Sequence, residues 1–405
     1  MEFNVSRNEL FQALKHCQNA ICKGPLGIFK NFVFTFSEEP KPLYIKIHAS
    51  NGEYWITEMV PIISVMSSAD APGPFRTFAV YCYDILRAVM SLEEQPLIIR
   101  VHEYQLSVHH ARGFFRIPLA KDAEAKEFLE WKRPGTSLDN GPIHHLVYEV
   151  PCLRSILSRC KYAMAQDELR PVMNGVHFNL TDKFSDYVSS DGHKLVRVRK
   201  DPMNVVNSDG PMSFIIPAQI VRVLMKILPT TGFVGCVYQE ESKKERASMQ
   251  IIMDDNISLS FRPVDGKYPK YWNVIPEQFN YELTVKRRLM IKCVERLAMF
   301  ANWSSGLMMM RFDKKDVMYL NVEDKDYEMS GEEFLECDFA KTGKGALNFR
   351  IGVKASSVAE TLRALSSEDV VFRFIDSSHA IIITPKPQPD VEEVTMLLMP
   401  MLCND

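Results

Sequence analysis

The sequence predicts an α+β fold repeated three times along the chain, and three observations predict it. First, residues 78–92 (FAVYCYDILRAVMSL), 214–228 (FIIPAQIVRVLMKIL) and 349–365 (FRIGVKASSVAETLRAL) share one pattern. Each is a short β-like apolar run, then an amphipathic helix carrying one arginine, then another β-like run. The arginines Arg87, Arg222 and Arg363 recur at nearly even intervals of about a third of the chain. Second, the tetrapeptides LKHC and LSRC, ending at Cys17 and Cys160, are set apart by a similar interval. Third, Ser50-Asn51-Gly52 and Ser190-Asp191-Gly192 repeat at that interval too, each between apolar runs. A repeat that fills 405 residues implies three stacked copies of one domain, each long enough to bury its own core. Function is then expected to depend on how the copies are arranged, not on one catalytic cleft.

Each copy opens with an amphipathic helix. In the first, Ser6 and Glu9 form an S-x-x-E capping box. Leu10, Ala13, Leu14 and Cys17 then make an apolar stripe opposite Gln12, Lys15, His16 and Asn19. In the second, Leu153, Ile156, Leu157 and Cys160 make the stripe. In the third the helix runs over 286–302. Strands with hairpin turns follow, because Asn-Gly and Asp-Gly favour two-residue turns with positive φ at both positions. A second helix and further strands close each copy. Residues 120–143 are charged and end in Pro/Gly punctuation, so they are expected to be a linker. The copies are thus 1–143, 144–277 and 278–405.

Composition narrows the function classes. A net charge of −3 argues against holding nucleic acid by charge over the whole surface, but allows a basic face on an acidic body. Nine cysteines without a C-x-x-C pair read as reduced thiols in a cytoplasm, not a disulfide framework or zinc site. The N-terminus lacks the apolar segment of a signal peptide, and no apolar run is long enough to span a bilayer. The pairs His109-His110 and His144-His145 lack the spacing of two metal ligands on one helical face. There is no P-loop motif, and no cofactor is expected.

Three motifs carry a family resemblance. The stretch from Arg170 to Val176 (RPVMNGV), followed by SDGHKL from Ser190 to Leu195, resembles the second domain of bacterial sliding clamps, the β subunit of the replicative DNA polymerase. VDGKYPKY from Val264 to Tyr271, then Val274-Ile275-Pro276, is similar to the segment joining that family's second and third domains. The terminal Leu398-Met399-Pro400-Met401 resembles the family's M-P-M ending. The resemblance covers about residues 144–405. It implies three DNA-clamp domains per subunit, with sheets outside and two helices per domain lining a central hole, in a head-to-tail ring dimer around duplex DNA.

Helices lining such a hole should be basic. The cations expected to face DNA are Lys15, Arg87, Arg154, Arg159, Lys161, Arg222, Lys226, Lys286, Lys292, Arg296 and Arg363. Their role would be independent of DNA sequence, because contacts to phosphates position a duplex without reading bases. The resemblance also implies a pocket for short peptide motifs of the replicative polymerase, the clamp loader and repair proteins. Its positions are Met173, Ser190, Gly192, His193, Lys194, Leu195, Pro269, Val274, Leu397, Met399, Pro400 and Met401. Methionines there offer flexible contacts that repack around different ligands. Asn273 and Leu402 stand where many members carry arginine. Ring closure would set Phe115 and Ile117 of one subunit on Met299 and Phe300 of its partner.

The reading is therefore a non-catalytic processivity clamp that tethers a polymerase to DNA. One alternative is a divergent paralogue with a restricted set of partners, in repair or another specialised role. The other is a hydrolase built on the hairpin Asp191–His193, although known catalytic triads converge from distant segments.

Overall fold

The two Ser-Asx-Gly turns show the repeat at atomic scale. In the computed structural model, which describes residues 1–22, 27–36, 43–66, 77–131, 133–135, 142–202, 206–207, 211–243, 245–313, 316–343 and 348–402, Ser50 pairs with Trp55 and Ser190 with Leu195. Four residues therefore turn each hairpin, not the two expected. Gly52 and Gly192 take positive φ, +91° and +92°, while Asn51 and Asp191 do not. The Asx side chains instead accept backbone amides, Asn51 Oδ1 from Glu53 and Tyr54 at 3.0 and 3.1 Å. Asp191 Oδ1 accepts from His193 and Lys194, both at 2.9 Å. An Asx oxygen that satisfies the turn amides removes the need for positive φ at its own position.

Among the described residues seven α-helices follow in chain order: α1 (Arg7–Cys17), α2 (Cys82–Met90), α3 (Asp122–Glu130), α4 (Val150–Cys160), α5 (Ala218–Ile227), α6 (Arg287–Ala298) and α7 (Ala355–Arg363). Ser6 caps α1, its hydroxyl accepting from the Glu9 amide at 3.3 Å. The predicted stripe of Leu10, Ala13, Leu14 and Cys17 is buried. The Cys17 thiol donates to the Ile47 carbonyl at 3.6 Å, and the Cys160 thiol to the Tyr187 carbonyl at 3.8 Å. The matching tetrapeptides thus make matching contacts. Helix α6 stops at Ala298, short of the expected residue 302, where the Asn302 side chain accepts the Ser304 and Ser305 amides and turns the chain.

The chain forms two compact units. The first is chiefly Met1–Pro151 with Lys226–Pro263, and the second chiefly Cys152–Val205, Gly210–Met225 and Val264–Asp405. Unit one holds a nine-stranded antiparallel sheet in the order Val206–Asn207, Ile143–Glu149, Phe233–Gln239, Ser248–Met253, Ile257–Phe261, Tyr54–Pro61, Tyr44–Ser50, Asn31–Phe36 and Thr77–Tyr81. Its seam, where Ile257 faces Glu58 and Phe261 faces Tyr54, joins strands from residues 31–81 to strands from residues 143–261. A five-stranded sheet in the same unit ends on the edge strand Gly113–Pro118.

Residues 120–131 are not the linker expected from their charge. Helix α3 buries Ala125 and Phe128 among Ile28, Phe29, Val33, Trp55 and Ala79. The charges occupy its outer face, so composition masked an amphipathic helix. Beyond it, Arg133 donates to the hydroxyls of Ser258 and Ser260 at 3.0–3.2 Å, on the strand at the seam. Residues 132 and 136–141 of the stretch lie outside the described residues. Arg133→Ala should cost about 1–2 kcal/mol, since it strands buried partners. Faster amide exchange over Ile257–Phe261 would register it, and unchanged exchange there would show that Arg133 does not hold the seam.

Unit two holds a second nine-stranded antiparallel sheet, in the order Met212–Pro217, Gly175–Leu180, Ser185–Ser190, Lys194–Lys200, Glu392–Leu398, Ile381–Lys386, Asp369–Phe374, Tyr281–Lys286 and Asp338–Lys341. Its seam runs from the pair Lys194 and Leu398 to the pair Lys200 and Glu392, joining strands from residues 175–217 to strands from residues 281–398. A four-stranded sheet with edge strand Met329–Glu336 completes the unit. Stacked Phe312, Phe339, Phe349 and Tyr281 fill the core beside it. Among the described residues no helix is long and apolar enough to cross a membrane.

Candidate functional site

The hairpin at Ser190–Leu195, the turn Pro171–Met173, the segment 264–276 and the chain's end after Leu398 all lie in unit two. Backbone bonds fix the residues after Leu398, one of them to the hairpin. The Met399 amide donates to the His193 carbonyl at 2.7 Å, and the Met401 amide to the Gly352 carbonyl at 2.8 Å. The backbone at Gly192 favours glycine. Its φ is +92°, and a Cβ there would meet the Arg170 guanidinium at 3.1 Å.

The residues expected to form the pocket divide into a buried set and an exposed set. Leu195 and Leu397, each 3% exposed, pack with Val188, Tyr271, Ala380 and Ile382, and Met173 and Ser190 are also buried. Val274 at 53% and Met399 at 42% face solvent. Gly192, His193 and Pro269 are exposed, and Pro400 and Met401 are half-buried. Lys194 departs from the expectation that it greets a ligand. Its ammonium lies 2.7 Å from Glu360 and 3.7 Å from Asp191, over the Tyr162 ring.

A polar network beneath the exposed set was not visible in the sequence. The buried Asp186 carboxylate accepts two bonds from Arg199 at 2.7 and 2.8 Å and one from the Tyr271 hydroxyl at 2.6 Å. Burial, reinforced by Asp186, pushes the Tyr271 phenol well above its ordinary range. His177 stacks on Tyr268 with ring centres 4.6 Å apart, and burial lowers its pKa to about 4, so it is neutral at pH 7. These contacts fix the segment carrying Pro269 and Val274. The only sequence signal for them was the interleaved aromatic residues of YPKYW.

The same hairpin speaks against a hydrolase. The Ser189 hydroxyl is buried and donates to the Cys160 carbonyl at 2.6 Å. The Ser190 hydroxyl donates to the Lys194 carbonyl at 2.9 Å, and the Asp191 carboxylate caps the turn. Both serine hydroxyls and the Asp191 carboxylate are thus engaged by the backbone, while the His193 side chain is exposed.

The cations nominated for DNA form three groups. Lys15, Lys161, Arg222, Lys226 and Lys292 are exposed, with no carboxylate partner among the described residues. Arg87, Lys286, Arg296 and Arg363 are exposed but paired, with Asp84, Glu368 and Asp369, Glu333 and Glu295 respectively. The two bonds to Glu333 raise the Arg296 pKa further and lower that of Glu333. Arg154 is half-buried, with Nη1 3.5 Å from the Met225 carbonyl. Arg159 corrects the expectation outright, because its guanidinium is turned into a buried pair with Glu392, which also binds Lys200 at 3.0 Å.

Ring-closure residues also differ in availability. Met299 is 68% and Phe300 43% exposed, whereas Ile117 is only 5% exposed. Ile117 faces Leu106 across its own sheet and is covered by its own unit, and Phe115 stacks on His110. The alternation of the edge strand instead turns Phe114 outward, 47% exposed.

Comparison with known proteins decides the family. Residues 149–270 match the family model described as the central domain of the DNA polymerase III beta subunit, and residues 272–401 match its C-terminal domain. Together they cover more than half of the chain. The chain belongs to the bacterial β sliding clamp family. A beta sliding clamp of Caulobacter vibrioides is 20% identical over 406 residues, covering 98% of this chain and 100% of that one. One from Synechocystis is 26% identical over 255 residues, a match that spans 59% of this chain and 61% of the Synechocystis clamp. Among solved clamps, the β subunit of Thermotoga maritima superposes with a TM-score of 0.81 at 19% identity, covering 100% of both chains. A Pseudomonas aeruginosa clamp bound to griselimycin gives 0.83, also at 19% identity and 100% coverage of both. The clamp fold thus extends over the part of the chain before Glu149, which neither family model reaches.

Proposed function

We propose that this chain is a processivity clamp without catalysis of its own. It forms three domains, 1–143, 144–277 and 278–405, and two subunits close head to tail around duplex DNA in the cytoplasm. Membership of the clamp family is the observation that carries this reading. The exposed cations Lys15, Lys161, Arg222, Lys226 and Lys292 support it, since they lie on or beside helices α1, α4, α5 and α6 of a chain whose net charge is −3. Phosphate contacts of this kind are sequence-independent and weaken with salt. Retention would come from the closed ring, and tethering would raise the polymerase's local concentration at the primer end. The pocket of unit two would take the polymerase's, loader's and repair proteins' peptides.

Two sheet edges suit ring closure. Gly113–Pro118 offers Phe114 with Arg112 and Arg116, and Met329–Glu336 offers Phe334 with Glu332 and Glu336, all exposed. Pairing these edges between subunits would satisfy both open backbones and match their charges.

The test is retention on DNA. The protein should run at twice 46.5 kDa at micromolar concentration. After opening and closing by a clamp loader it should stay on nicked circular DNA at high salt, and leave once the circle is cut. A monomer, or equal retention on linear and circular DNA, would overturn the ring.

A further inference from the structure

Trp272 lies in none of the sequence motifs, yet it is one of the most conspicuous side chains of unit two. It is 54% exposed, although tryptophan is usually well covered. It sits in the short helical turn Tyr271–Val274. Its ring meets Tyr271 edge-on, with centres 5.0 Å apart and planes at 77°. Tyr271 is 4% exposed and packs in the cluster that holds Leu195 and Leu397, the pocket floor. Tyr271 is itself pinned by Asp186 and by Asn179, whose amide lies 3.2 Å from the phenol oxygen. The indole is therefore mounted on a rigid base, with its open face toward solvent beside the exposed Val274.

Two cations precede it closely in the chain: Lys267 and Lys270, either side of Pro269, are exposed with no carboxylate partner among the described residues. Asp265 and Glu277, also exposed, stand seven residues before and five after Trp272. Asn273 and Leu402 are exposed and neutral. Exposed apolar surface at Trp272 and Val274 thus follows directly in the chain on the positive charge of the two lysines.

We propose that Trp272 is a specificity-determining residue of the peptide pocket. It would hold an aliphatic or aromatic side chain of an extended, acidic partner peptide outside the buried floor, while Lys267 and Lys270 meet the peptide's carboxylates. This rests on the pocket reading above. A rigid aromatic platform suits the task, because tryptophan offers large contact area at low entropic cost, and such residues dominate binding energies at interfaces.

The experiment uses the full chain and a phage-displayed library of random twelve-residue peptides. The tightest peptide recovered is synthesised and titrated against wild type, Trp272→Ala, Trp272→Phe and Met399→Ala. Trp272→Ala should weaken binding roughly 10- to 100-fold, Trp272→Phe should restore most of it, and Met399→Ala should also weaken it. Recovered peptides should pair acidic with apolar residues, and amidating the carboxylates should flatten the salt dependence. If Met399→Ala weakens binding and Trp272→Ala leaves it within twofold, this inference fails and the pocket stands. Loss with Trp272→Ala but not Met399→Ala would place Trp272 outside the pocket and also overturn it. If neither substitution matters, or no peptide is recovered, the pocket reading itself fails.

Discussion

Replacing Met299 and Phe300 together by aspartate should convert the protein from dimer to monomer at micromolar concentration. Both side chains stand in solvent in the single subunit, 68% and 43% exposed, at the end of α6. Burying each against a partner would contribute about 1.5–3 kcal/mol. Every 1.4 kcal/mol is about tenfold in affinity, so losing both amounts to roughly 10²- to 10⁴-fold. Desolvating the new carboxylates adds to the loss. Because neither side chain supports the core of its own subunit, the melting temperature of the monomer should move little. Sedimentation separates the outcomes. A double variant that stays dimeric with an unchanged melting curve would place the interface elsewhere. Raising the salt should weaken the wild-type dimer, since Arg112 and Arg116 would face Glu332 and Glu336 at a solvent-exposed rim.

The sequence exposed whatever is local and periodic. The stripe of α1, the Ser6 cap and the positions of the hairpins follow from residues close together in the chain, and they fold as read. Arg87, Arg222 and Arg363 all stand exposed, on α2, α5 and α7. What the sequence concealed depends on distant partners. Arg159 looks like any surface cation on α4 until Glu392, 233 residues later, is brought beside it. Lys194 is drawn to Glu360 across 166 residues in the same way. Ile117 and Phe114 alternate on one strand, so choosing which faces outward requires knowing which side of the sheet the core takes. Helix α3 was lost for another reason. Its outer charges dominate the composition, and only Ala125 and Phe128, one turn apart, betray the buried face.

The buried triad at the second seam carries the other large prediction. Glu392 begins the strand that pairs with Lys194–Lys200, and its carboxylate lies between Arg159 of α4 and Lys200 of that strand. The Glu392 and Lys200 side chains are each 6% exposed and Arg159 13%, so the three charges have little water to fall back on. Removing one member of such a set leaves the others buried and unpaired, which costs about 3–5 kcal/mol. Glu392→Ala should therefore lower the melting temperature by roughly 6–20 °C, at about 2–4 °C per kcal/mol for a unit near 200 residues. Burial pushes the Glu392 pKa up, but the bonds and charges of Arg159 and Lys200 outweigh it and hold the net value below the ordinary carboxylate range. A depressed carboxylate contributes its stability above the unfolded pKa, about 4.3, and loses it as pH falls through the folded value. The gap between wild type and Glu392→Gln should be full at pH 7 and narrow below about pH 4.3. The same strand carries Leu397 and ends at Leu398, and Met399 follows it, so on the proposed pocket reading loosening the triad should weaken peptide binding as well as stability. A variant that melts with wild type at pH 7 would show that the pair is worth no more than its hydrated counterparts.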